Sequence, residues 1–244
     1  MKKKSDLVLV GNGPSVKDHE MGELIDSYDT VVRFNWYHID GYEKYVGTKT
    51  DIWFTTIFDP QRAKHPHRLI YEHSWEWNPA GDKCYNQFIK SKVVNYDAFP
   101  ISKALSSQEK GKPLKRPIKT CMAMCLDMTN YLMTTYGHHK TNQWLPQYEC
   151  WSTGAIAAWW FLNERRKKYD SDKVTPKCDT IDLYGFDWWN MGDKDYHHYG
   201  DAQTVGKNHK PKIELELFNL LYAEGKIHDL HPGSDFHLDH NRYD

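Results

Sequence analysis

A single α/β domain built on a mostly parallel sheet is the fold class this sequence predicts, and three observations predict it. Short apolar, β-branched runs recur along the first part of the chain: Leu7-Val8-Leu9-Val10, Thr30-Val31-Val32-Arg33-Phe34 and Asp51-Ile52-Trp53-Phe54. Runs of that length and composition read as buried strands. The segments between them are short and rich in turn residues, as crossovers between neighbouring parallel strands require. Finally, no Gly/Ser/Pro-rich break, internal repeat or low-complexity tract divides the 244 residues, so one domain covering 1–244 is expected.

The first run is closed by Gly11-Asn12-Gly13-Pro14-Ser15 and followed by a polar stretch carrying Met21, Leu24 and Ile25, a strand, loop and helix opening. After the second run come a turn around Gly41 and a short segment ending at Gly47. From Pro60 to Pro117 the pattern weakens, with candidate strands only at Leu69-Ile70-Tyr71 and Val93-Val94. Helical spacing returns between Thr120 and Tyr136, and again from Gly154 to Tyr169, where a basic end suits the helix dipole. Thr180 to Phe186 reads as a strand, Trp188 to His209 as a long loop, Pro211 to Glu224 as a helix with Pro in its first turn, and Lys226 to Leu230 as a closing strand. Long loops inside one domain usually carry function.

Composition narrows the partner. Thirty-two basic against thirty-three acidic residues leave a formal charge of −1, which speaks against a nucleic-acid binder. Aromatic residues reach 14%, with 10 Trp and 16 Tyr, and flat rings with polar tips suit the apolar faces of sugars and bases as well as an aromatic core. Leu7 to Val10 is far too short for a membrane span or a signal-peptide core, so no transmembrane segment is expected. The five cysteines lack paired metal spacing, which fits a reducing compartment.

Chemistry is expected where the strands end. The glycine turn after the first strand can offer backbone N–H groups and a helix N-terminus to an anion, although an ordinary strand-to-helix turn has the same composition. It is neither GxGxxG nor a GK[ST] phosphate loop, so neither a dinucleotide nor a triphosphate is indicated. Asn35, closing the second strand, falls on the same carboxyl edge as Asn12, where ligands of open α/β sheets bind.

Val10-Gly11-Asn12-Gly13, Ile25-Asp26, Val31-Val32-Arg33-Phe34-Asn35 and Gly41-Tyr42-Glu43-Lys44-Tyr45-Val46-Gly47-Thr48-Lys49-Thr50 resemble the long sialylmotif of the animal-type sialyltransferase family. Ser152-Thr153-Gly154 with Cys178 to Phe186 is similar to its short motif, His198-Tyr199-Gly200-Asp201 to its third, and His209 with Glu214 to its very short His-x4-Glu motif. The four stand in family order. Between Phe54 and Trp151 no resemblance is found.

The resemblance implies a Rossmann-like nucleotide-sugar glycosyltransferase fold of the GT-A variant and an inverting transfer of sialic acid from cytidine monophosphate (CMP) sialic acid to a hydroxyl of an acceptor glycan. It implies no cofactor and no metal: one phosphate can be met by neutral donors and a single cation, and no DxD-like pair stands at a strand end. By position, Asn12, Gly13 and Asn35 would meet the donor's phosphate and ribose. Ser152, Thr153 and Gly154 would bind cytidine and the sugar carboxylate, with Tyr184, Gly185, Phe186 and Tyr199 completing the donor site. His198 would assist the departing phosphate, and His209 would be the general base, a role that histidine's pKa near working pH suits. Glu214 either orients His209 or is a solvated first-turn acid favoured by the helix dipole.

Two alternatives stay open: the same chemistry with CMP-activated keto-deoxy-octulosonate (Kdo), and a non-catalytic nucleotide- or carbohydrate-binding module. The family's long motif normally carries a cysteine that pairs with one in the short motif. Here no cysteine lies between Met1 and Tyr71, so Cys178 lacks that partner. With no membrane anchor recognised either, a soluble bacterial, viral or algal relative working in the cytoplasm is expected.

Overall fold

The apolar runs become strands because their side chains alternate between two faces that are both covered. In a computed structural model, the residues described are 3–55, 69–72, 128, 131, 151–162, 178–187, 197–198 and 211–231. They form β1 (Leu7–Val10), a single 3-10 turn (Pro14–Lys17), α1 (Gly22–Asp26), β2 (Thr30–Phe34), α2 (Glu43–Val46), β3 (Ile52–Thr55), β4 (Leu69–Glu72), α3 (Thr153–Leu162), β5 (Ile181–Tyr184), α4 (Pro211–Ala223) and β6 (Ile227–Asp229). All six strands pair in parallel, in the order β4-β3-β2-β1-β5-β6.

Leu7 and Leu9 of β1, Val32 and Phe34 of β2 and Leu183 of β5 pack beneath α3 and α4, which supply Trp159, Trp160, Leu217 and Phe218. Val8, Val10, Val31 and Tyr184 turn the other way, against Val16, Ile25 and Val46 from the 3-10 turn, α1 and α2. Helices on both faces of a parallel sheet make the predicted Rossmann-like layering.

Two buried polar side chains fix this frame. The Arg33 guanidinium, 1% exposed, donates to the carbonyls of Val46 at 2.5 Å, Gly47 at 3.3 Å and Lys49 at 3.1 Å and to the Thr50 hydroxyl at 2.9 Å, tying β2 to the segment after α2. Burial lowers its pKa to about 10, so it remains a cation at neutral pH. On β5, Asp182 accepts from the main-chain N–H groups of Lys4 and Ser5 and from the Tyr28 hydroxyl, the last at 2.5 Å. These bonds anchor the chain leading into β1.

The predicted strands and helices differ from the observed ones at their ends by a residue or two, the usual play at frayed termini. The expected strand at Val93-Val94, most of the expected helix 120–136 and residues 163–169 lie outside the described residues. Among the described residues no helix is long and apolar enough to cross a membrane.

Candidate functional site

The strand order reverses between β1 and β5, and the carboxyl ends of those strands define the crevice where an open α/β sheet takes its ligand. Two loops meet there backbone to backbone. A Cβ on Gly11 would stand 2.2 Å from the Gly185 carbonyl oxygen, and one on Gly13 would stand 2.8 Å from the same oxygen and 2.3 Å from Asp187 Oδ2. Only glycine permits that approach.

The first loop does not work as the anion cradle its composition suggested. The Gly11 N–H donates to the Tyr184 carbonyl at 2.7 Å, the Gly13 N–H to the Gly185 carbonyl at 3.0 Å, and the Val16 N–H to the Gly13 carbonyl at 3.4 Å. Pro14 has no N–H, and both the N–H of Ser15 (2.8 Å) and its hydroxyl donate to the Asp187 carboxylate. Burial raises the Asp187 pKa, opposed by the two Ser15 bonds. The loop's donors are thus largely spent on the β5 loop, with a carboxyl group behind them.

Asn12 sends its amide to the Phe34 carbonyl at 3.3 Å. The next residue, Asn35, has a left-handed backbone with φ 44°, a conformation asparagine tolerates better than most residues. The turn is pinned on both sides, because the Asn35 N–H donates to the Phe54 carbonyl at 3.0 Å and its own carbonyl accepts from Trp53 Nε1 at 2.9 Å. From there the Asn35 amide reaches Thr153 Oγ1 at 3.2 Å, joining the end of β2 to the start of α3.

Ser152 caps α3: its Oγ accepts from the Ala155 N–H at 3.1 Å. Both of its own donors go to Glu214 of α4, the main-chain N–H to Oε1 and the hydroxyl to Oε2 at 2.6 Å. Glu214 is 2% exposed, and burial raises its pKa to about 7 against these bonds. The solvated first-turn acid is therefore not what the structure has; helix α4 packs its first turn inward onto Ser152. Phe186 closes the floor, its ring so near Gly154 that a Cβ there would meet Cε1 at 2.8 Å, and packed against the rings of Phe34 and Phe218.

His198 arrives from the far end of the sequence. Its N–H donates to the Asn12 carbonyl at 2.9 Å, and its ring lies with Nδ1 3.2 Å from that oxygen and Nε2 3.1 Å from the His38 carbonyl, edge-on to Tyr42. Burial lowers the His198 pKa, and the two carbonyls only partly offset it. A base held below its ordinary 6.5 stabilises the fold fully above that pH and loses the contribution as pH falls through the lowered value. NMR titration of this imidazole is expected to give a pKa below 6.5; a value above it would show that the carbonyls outweigh burial.

The structure thus gathers Asn12, Gly13, Asn35, Ser152, Thr153, Gly154, Gly185, Phe186 and His198 at one end of the sheet. Tyr184 contributes main chain there; its side chain lies on the opposite face, donating to the Val16 and His19 carbonyls at 3.0 Å. Tyr199 and His209 lie outside the described residues. Sequence reasoning missed Asp187 and the tie from Glu214 to Ser152. An acid directly after Gly185-Phe186, at a strand's carboxyl end, was the available signal for the first.

The family model described as glycosyltransferase family 29 (sialyltransferase) matches residues 4–79. CMP-N-acetylneuraminate-beta-galactosamide-alpha-2,3-sialyltransferase 4 of Rattus norvegicus is 39% identical over 67 residues, 26% of this chain and 20% of that protein. Rattus norvegicus lactosylceramide alpha-2,3-sialyltransferase is 22% identical over 242 residues, 93% of this chain and 56% of its own length. Homo sapiens alpha-N-acetylgalactosaminide alpha-2,6-sialyltransferase 2 is 23% identical over 236 residues, 89% of this chain and 58% of that protein. A crystal structure of a mammalian sialyltransferase superposes with a TM-score of 0.49 at 19% identity, covering 92% of this chain and 68% of that one. The chain spans little more than half the length of the curated relatives that align along most of it.

Proposed function

We propose, on the premise that this chain belongs to the animal-type sialyltransferase family, that it transfers sialic acid from its CMP ester to a hydroxyl of an acceptor glycan. The observation that carries this reading is the bond from the His198 N–H to the Asn12 carbonyl, 2.9 Å, which joins the third motif to the long motif at the sheet's reversal point. Residues from opposite ends of the chain share one edge there with Asn35 and Ser152.

In this reading neutral donors meet the donor's phosphate and ribose, with the amides of Asn12 and Asn35 foremost. That division suits the edge, because the main-chain N–H groups of the first loop are largely occupied and Asp187 opposes a second anion behind them. Ser152, Thr153 and Gly154 receive cytidine and the sugar carboxylate, and Phe186 supports them from below. His209 removes the acceptor hydroxyl's proton as the oxygen attacks the anomeric carbon, while the bond to the CMP phosphate breaks on the opposite face and the configuration inverts. His198, set against Asn12, stands at the leaving phosphate. Turnover is proposed to need no divalent metal and to survive dialysis against EDTA. A reducing compartment is proposed as well, since the stretch from Met1 to Tyr71 holds no cysteine where the family's long motif normally carries one.

A donor panel tests the reading: release of CMP from CMP-sialic acid and from CMP-Kdo, with and without glycan acceptors. At least tenfold faster release from the sialic acid ester is expected. A preference for Kdo would correct the sugar. Tight CMP binding with no release from either donor would reduce the protein to a binding module.

A further inference from the structure

Trp36 is 51% exposed, the most exposed large apolar side chain among the residues whose burial is described, and it directly follows Asn35. The packing of its neighbours explains why it faces outward. Tyr37 is 3% exposed, with the Arg33 guanidinium 5.8 Å from its ring centre, so the inward position at this turn is already filled. The left-handed backbone at Asn35 redirects the chain just before the indole.

The segment is also held at both ends by the residues of the site. Asn35 is fixed through its carbonyl to Trp53 Nε1 and through its amide to Thr153, and the His38 carbonyl lies 3.1 Å from His198 Nε2. The indole therefore stands on a braced rim between the end of β2 and His198. An exposed ring costs solvation that a ligand can recover. A segment braced at both ends also gives up little backbone entropy when a ligand covers the ring it carries.

We propose that Trp36 is an acceptor-binding residue, a platform on which a hexopyranose of the acceptor glycan lays its C–H face. This rests on the transferase reading above and deepens it. The inward-directed groups at this edge, the Asn35 amide and Ser152, belong to the donor side; the indole looks toward solvent, from which a glycan end must arrive. A flat aromatic ring meeting the apolar face of a pyranose is the chemistry such a position suits.

The test is transfer from CMP-sialic acid to free disaccharide acceptors by wild type, Trp36→Ala and Trp36→Phe. Trp36→Ala should raise the acceptor KM about tenfold, the size of one stacking contact. The donor KM and donor hydrolysis should stay within twofold, with Trp36→Phe intermediate. An acceptor KM that stays within twofold, or an equal loss for donor and acceptor, overturns the platform. Saturation-transfer NMR with the same disaccharides and CMP separates this inference from the reading beneath it. If wild type transfers nothing yet saturates a disaccharide, and Trp36→Ala abolishes the signal, the sugar platform stands and the transferase reading falls. Saturation independent of Trp36, or none in wild type, ends the proposal.

Discussion

Glu214→Ala should lower stability by about 3 kcal/mol at pH 5.5 and remove most of the activity. The substitution strips both acceptors from the half-buried Ser152, and each abandoned donor costs on the order of 1–3 kcal/mol. It also loosens the cap of α3, because Ser152 Oγ holds the Ala155 N–H. Glu214→Gln keeps the shape and one acceptor, so it should fold far better than alanine. The pH dependence is the more specific readout. A carboxyl whose folded pKa is about 7 rather than 4.5 binds its proton more tightly in the native state, so its contribution is complete below pH 4.5 and is lost as pH rises through 7. The difference corresponds to roughly 3 kcal/mol, read as a falling urea midpoint between pH 5 and pH 8. In Glu214→Gln that slope should flatten. An unchanged slope would mean another group carries the titration.

His209→Ala should cut turnover at least a hundredfold, about 2.7 kcal/mol of transition-state stabilisation, with little change in CMP affinity. A general base acts on the acceptor's proton and touches neither phosphate nor cytidine, so the loss belongs in kcat and not in donor binding. Calorimetric titration with CMP and initial-rate kinetics check the two halves separately. Unchanged turnover would remove His209 from the mechanism, and a parallel loss of CMP affinity would make it a donor-site residue instead.

The central strands were legible because each is a short, largely apolar run closed by turn residues, and a parallel strand buried on both faces has that appearance. The meeting of Asn12, Asn35 and His198 was legible only through motif order, since nothing local in the 197–198 segment announces a partner at Asn12. Which of the glycine loop's two readings applies could not be decided locally. Its N–H groups look available in sequence, but their acceptors come from Tyr184, Gly185 and Asp187, far along the chain. Of the two readings of Glu214 the solvated one fails: an acid in a first turn is usually solvated, and only the packing of α4 onto Ser152 buries this one.

The contact between Gly11 and Gly185 couples the two loops mechanically. With one main chain resting on the other, and Val16 closing over Gly185 from behind, neither corner can shift without displacing its neighbour. A side chain added at either position would be transmitted across the seam to Asn12. A change at one corner would therefore have to be answered at the other for the seam to stay closed.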